Sequence, residues 1–203
     1  MKNEHALIII AKRPEAGRVK TRLNSHLPEE KVVEIYTYLL EQTIYKLRSI
    51  EGVDTFIAFA PDSSKDYFTR FGVKLIPLSE GDLGTGMFQA FKRVFSAGYK
   101  KAALVGADIP DLQPEIILSA IDVLSGHDLV FGPAVDGGYY LVGMKKLIKE
   151  VFEDIPWSSD ETLRKSLDQS DKFNYSVGFT DTLRDIDTID DVKRAALLQS
   201  IIT

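Results

Sequence analysis

The chain has 203 residues, 44% of them hydrophobic and 27% charged, with a formal net charge of −5, which is the balance of an ordinary globular protein. It has no cysteine, so disulfides, thiolate nucleophiles and Cys-ligated zinc or iron–sulfur centres are excluded. The acidic balance argues against a general nucleic-acid binder, and no apolar run approaches the roughly 18 residues of a membrane span.

HALIIIA (5–11) is short and continuously apolar, the pattern of a strand buried on both faces. Lys2 and Glu4 precede only about seven apolar residues, which does not make a secretory leader, so a cytoplasmic protein is expected. The loop AKRPEAGRVKTRL (11–23) gathers Lys12, Arg13, Arg18, Lys20 and Arg22 beside a single acid, Glu15. A cationic loop at the C-terminal end of a strand, with Gly17 allowing close backbone approach, suits phosphate oxygens. The bland reading is a solvated charged loop. The Walker A pattern is absent.

A helix is predicted from Pro28, with Glu29 and Glu30 in its first turn and Val32, Tyr36, Leu39, Leu40, Ile44 and Leu47 on one buried face. VDTFIAFA (53–60) reads as the second strand, followed by a short helix at 63–70 and a strand at 73–78. The stretch 84–97 reads as a helix with Met87, Phe88, Phe91, Val94 and Phe95 inward. KAALVGAD (101–108) is a further buried strand, and a helix opens at Pro114. DLVFGPA (128–134) and GYYLVGM (138–144) are strands; a helix near 160–168, a strand near 173–179 and a last helix from 189 complete the chain. Strand–helix alternation without repeats or linkers implies one α/β domain over 1–203, a mostly parallel sheet with helices on both faces. Ligands of such sheets bind beyond the carboxyl ends of the strands.

Asp108, in GADIPDL (106–112), sits at such an end, where a carboxylate can hold a hard divalent cation or simply shape a turn. Asp-Gly within FGPAVDGGYYLVG (131–143) is a strong hairpin signal, and Asp136, Gly137 and Gly138 are also candidate ligand contacts. Tyr139 and Tyr140 read as packing residues. In DIDTIDDV (185–192), Thr188 and Asp191 form a helix capping box, which leaves Asp185 and Asp187 unexplained. Asp187 is a candidate second ligand facing Asp108. Gly84-Thr85-Gly86 lacks the third glycine of a dinucleotide fingerprint. The three histidines are isolated, and no nucleophile elbow is present, so zinc-protease and serine-hydrolase chemistry are unsupported.

Taken together, AKRPEAGRVKTRL, GADIPDL, GPAVDGGYYLVGM, PWSSDETL and DIDTIDDV resemble the predicted glycosyltransferases of the nucleotide-diphospho-sugar transferase (GT-A fold) superfamily. More distantly the chain is similar to the guanylyltransferases of 2-phospho-L-lactate and of the molybdenum cofactor. The resemblance implies a three-layer α/β/α sandwich. It implies that Lys12, Arg18, Lys20 and Arg22 hold nucleotide phosphates, with Gly17 and Gly84 in the same binding set. Asp108 and Asp187 would bind Mg2+ or Mn2+, with Lys20 as their catalytic companion. Asp136, Gly137, Gly138, Ser158, Ser159 and Thr162 would face the substrate. Gly86 stands where relatives often carry arginine, which removes one anion contact.

Two reactions fit: nucleotidyl transfer from a nucleoside triphosphate to a phosphorylated small molecule, and glycosyl transfer from a nucleotide sugar. Five loop cations suit a triphosphate better, so nucleotidyl transfer leads. A non-catalytic nucleotide-binding protein is the third reading. The expected partners are a nucleotide or nucleotide sugar and a small-molecule acceptor, with neither nucleic acid nor membrane; a homodimer is compatible with this reading.

Overall fold

In the computed structural model, which describes residues 3–78 and 81–202, the first apolar run forms β1 (His5–Lys12). Its period-two alternation sends Leu7, Ile9 and Ala11 into one core and Ala6 and Ile8 into another, so both faces of the strand are covered. β1 lies parallel to β2 (Val53–Ala60) on one side and β4 (Lys101–Val105) on the other, and β3 (Lys74–Pro77) pairs with β2 at the edge. β5 (Leu129–Pro133) and β6 (Tyr139–Met144) form a hairpin, and β7 (Val177–Phe179) pairs in parallel with β5.

The seven-stranded order is β3-β2-β1-β4-β6-β5-β7. The hairpin returns so that β6, rather than β5, lies beside β4, and it runs antiparallel to both neighbours. Among the described strands it alone opposes the others, so the expected mostly parallel sheet is the one found.

α1 (Glu29–Leu47), α2 (Lys65–Thr69) and α4 (Pro114–Val123) cover one face, with Leu40, Ile44, Phe68 and Ile117 buried against Leu7 and Ile57. α3 (Leu83–Ser96) and α5 (Thr162–Lys172) cover the other, where Met87, Phe91 and Val94 meet Ile8, Leu104 and Val142. The result is the expected three-layer α/β/α arrangement. α3 begins at Asp82, whose carboxylate accepts from the Thr85 N–H at 2.8 Å.

Several predicted boundaries shift. β4 ends at Val105, so Gly106, Ala107 and Asp108 lie beyond the strand. α5 starts and ends later than expected, because the chain turns through Ser158 at φ 63° and leaves the helix through Asn174 at φ 56°; that exit also shortens β7. The helix from 189 is broken: α6 (Ile189–Arg194) stops where Ala195 becomes extended, and α7 (Gln199–Ile202) follows a 3-10 turn.

A smaller third core matters most for the site. Leu23, from the turn after the basic loop, packs with Ile35 and Leu39 of α1, and with Ile186 and Val192 from the C-terminal segment. It joins the two ends of the chain beyond the carboxyl edge of the sheet.

Candidate active site

The basic loop leaves β1 at Lys12, whose backbone is gripped by α1. The Tyr36 hydroxyl accepts from the Lys12 N–H at 3.0 Å and faces its carbonyl at 3.3 Å. Burial pushes the Tyr36 phenol up to about 12, so it acts as a fixed neutral clamp. Gly17 at φ 72° and Lys20 at φ 44° turn the loop back toward the sheet. The Lys20 side chain, only 7% exposed, enters the edge of the fold.

There the ammonium of Lys20 lies 2.5 Å from Asp108 Oδ2 and 2.7 Å from Asp187 Oδ1. Burial alone would lower its pKa, but Asp108 and Asp187 outweigh it and hold the ammonium above its usual value. Arg22, also from the loop, donates to Asp187 Oδ2 at 2.7 Å. The loop and both predicted carboxylates therefore share one point.

Asp108 reaches this point because Gly106 leaves room: a Cβ there would stand 3.0 Å from Asp108 Oδ1. Asp187 reaches it because the Ile186 N–H donates to the Asp108 carbonyl at 3.1 Å, while the Ile186 side chain is buried against Leu23. Just beyond, Thr188 and Asp191 make the expected capping box.

Asp185 belongs to the same group, a place that its motif alone does not assign. Carboxylate oxygens of Asp108, Asp185 and Asp187 lie within 4.8 Å of one another. Burial, followed by the negative charges of Asp187, Asp108 and Asp136, pushes the Asp185 pKa up to about 6. The available signal was alternation: in Asp185-Ile186-Asp187 the apolar residue faces inward, so both neighbours share the opposite side. Three half-buried, hard oxygen donors at this spacing fit a divalent cation.

A cleft of about 260 Å³ opens beside them, lined by Arg22, Asp136, Arg184, Asp185 and Asp187 among others. Asp136 thus joins the site, its Oδ1 accepting from the Gly138 N–H at 2.9 Å in the expected turn.

Other predicted site residues make other contacts or stand exposed. Arg18 is 66% exposed and pairs with Glu15 at 3.3 Å, and the Lys12 side chain is exposed. Gly84 packs beneath Trp157, where a Cβ would stand 2.5 Å from the indole. Gly137, at φ 90°, lies against the Asp160 backbone, and its carbonyl accepts from the Leu163 N–H at 3.1 Å. The Ser159 hydroxyl accepts from Glu161 N–H, and the buried Thr162 hydroxyl faces the carbonyls of Pro156 and Ser159 at 2.9 and 2.8 Å. Ser158 is exposed on the same turn. The tryptophan-led motif thus folds its own turn and docks it on the Asp136–Gly138 turn.

Residues 43–159 match the family DUF2064, described as an uncharacterized protein conserved in bacteria. The chain belongs to this family. No curated protein matches this family member's sequence. Among solved structures, a protein from Desulfovibrio desulfuricans G20, provisionally named a nucleotide-diphospho-sugar transferase, is similar with a TM-score of 0.89 at 27% identity, over 98% of this chain and 88% of its own. CMP:2-keto-3-deoxy-manno-octonic acid synthetase, complexed with CTP, has a TM-score of 0.61 at 11% identity over 97% and 98% of the two chains. Glucosyl-3-phosphoglycerate synthase from Mycobacterium tuberculosis, in complex with Mn2+, UDP and glucosyl-3-phosphoglycerate, has 0.56 at 10% over 90% and 70%. The last two likenesses are of fold. The expected fold agrees with all three, and the expected superfamily and transferase class agree with the D. desulfuricans protein. Among the described residues, no helix is long and apolar enough to cross a membrane.

Proposed function

We propose that residues 1–203 form one transferase domain that moves a nucleotidyl group from a nucleoside triphosphate to a phosphorylated small molecule, with Mg2+ or Mn2+. One observation carries the reading: a buried loop lysine, expected to meet phosphate, touches Asp108 and Asp187, the carboxylates expected to meet metal. Such convergence disfavours a purely solvated loop and gives the carboxylates a part that a non-catalytic nucleotide binder does not require.

In this reading an oxygen of the acceptor phosphate attacks the α-phosphorus. A new P–O bond forms, the bond to the β-bridging oxygen breaks, and pyrophosphate leaves. A divalent cation held by Asp108, Asp185 and Asp187 would supply Lewis-acid charge at the phosphates. Lys20 and Arg22 donate charge-assisted hydrogen bonds to phosphate oxygens. Gly17 lets the loop backbone approach them. Asp136, Arg184 and Arg194 line the adjoining cleft, where the acceptor sits.

Glycosyl transfer from a nucleotide sugar is the second reading, favoured by the name of the D. desulfuricans neighbour. A panel of nucleoside triphosphates mixed with small phosphorylated acceptors, in Mg2+ or Mn2+, separates the two. Pyrophosphate release that depends on acceptor supports nucleotidyl transfer. Nucleoside diphosphate release from a nucleotide sugar, with no pyrophosphate from any triphosphate, overturns it.

A further inference from the structure

We infer that the Lys20 ammonium is the internal occupant of the metal position, and that metal and phosphate binding are coupled through its release. This rests on the metal-dependent reading above. The Lys20 Nζ sits 2.5 Å from Asp108 Oδ2 and 2.7 Å from Asp187 Oδ1. Hard divalent cations bind carboxylate oxygens at about 2.0–2.6 Å. An ion on those same two oxygens would overlap the ammonium, so the two occupants exclude each other.

The charges point the same way. Asp108, Asp185 and Asp187 place three negative charges within one small volume, and Lys20 with Arg22 neutralises part of it. A divalent ion that displaced Lys20 into a low-dielectric edge would strand a buried cation, which is costly. A phosphate chain removes that cost by offering the displaced ammonium new oxygens. The geometry permits the move: Lys20 hangs from a left-handed turn just after the exposed segment Ala16–Arg18, and its flexible stem pivots toward the open loop. Metal alone therefore binds weakly, triphosphate strengthens metal binding, and the strengthening runs equally in the other direction.

The test compares wild type with Lys20→Met and Lys20→Gln, which keep much of the stem without the charge. Free Mn2+ is followed by electron paramagnetic resonance, with and without tripolyphosphate as the phosphate probe, each titration read against a protein-free blank because tripolyphosphate itself chelates Mn2+. Either variant should bind Mn2+ alone roughly tenfold or more tightly than wild type, because no internal cation competes. Tripolyphosphate should raise Mn2+ affinity strongly in wild type and only weakly in the variants. Equal or weaker Mn2+ binding by the variants overturns the exchange while leaving the metal site in place. Failure of every protein to bind Mn2+, even with tripolyphosphate, overturns the metal reading and the exchange with it. If both variants fail to fold, the Lys20 ammonium resonance of wild type decides: Mg2+ with tripolyphosphate should shift it, and an unmoved resonance under saturating conditions refutes the exchange.

Discussion

The backbone N–H of Ile186 donates to the carbonyl of Asp108 at 3.1 Å. This one bond ties the loop beyond β4 to the C-terminal segment, and on either side of Ile186 stand Asp185 and Asp187. Ile186 is 2% exposed and lies in the same small core as Leu23, two residues after the Lys20–Thr21 turn. The position of three carboxylates and two cations thus depends on an apolar residue that touches no ligand.

Ile186→Ala should therefore cost about 2–4 kcal/mol of stability, as a buried large-to-small change does. It should also weaken Mn2+ binding, because the segment bearing Asp185 and Asp187 loses its anchor. Ile186→Val should cost only about 1 kcal/mol and keep metal affinity. Denaturant unfolding and Mn2+ titration check both. Normal metal affinity in a destabilised Ile186→Ala would detach the apolar anchor from the site.

Asp185→Asn should raise the melting temperature in EDTA by about 2–4 °C, since it removes a half-buried charge facing Asp108, Asp187 and Asp136. The same change should weaken Mn2+ binding about tenfold by removing a ligand. A variant that melts as wild type and binds Mn2+ as wild type would return Asp185 to a spacer role.

Gly84→Ala addresses whether this glycine serves phosphate or packing. A Cβ there would meet the Trp157 indole at 2.5 Å. Trp157 is the only tryptophan of the chain, so its emission reports the displacement directly. The expected result is a shifted emission spectrum and lower stability with Mn2+ affinity retained. Unchanged fluorescence together with impaired tripolyphosphate binding would favour the phosphate role.

Asp128 provides the pH test. Its Oδ2 accepts from the Ser176 N–H at 3.0 Å and the Ser176 hydroxyl at 2.8 Å, joining the starts of β5 and β7. Those bonds, then Lys145 and Lys146, hold its pKa down to about 2. A depressed carboxylate stabilises the fold above its unfolded pKa and loses that contribution as pH falls through the folded value. Asp128→Asn should thus cost about 1 kcal/mol at pH 7, with the difference from wild type shrinking between about pH 4 and pH 2. Equal stability of the two proteins at pH 7 would show the bonds to be of no net worth.

Much of this protein follows from local chemistry. Continuous apolar runs such as HALIII declare doubly buried strands, Pro28 and Pro114 mark helix starts, and Thr188 with Asp191 spells out a cap, because each depends on residues a few positions apart. The cations of the first loop and Asp108 stand out for the same reason: they follow strands whose ends are legible. What periodicity does not contain is which distant segments meet. Placing β6 between β4 and β5 depends on competition among strand partners of similar hydrophobicity. Gly84 under Trp157 and Gly137 against Asp160 are decided by packing between segments far apart in the chain. The meeting of Lys20 with Asp108 and Asp187, and the addition of Asp185, required the Ile186–Asp108 hydrogen bond and the small core around Leu23. Short stretches of sequence mark out residues with the right chemistry, whereas contacts between distant segments bring Lys20, Asp108, Asp185 and Asp187 to one point, and no short window of the chain contains those pairings.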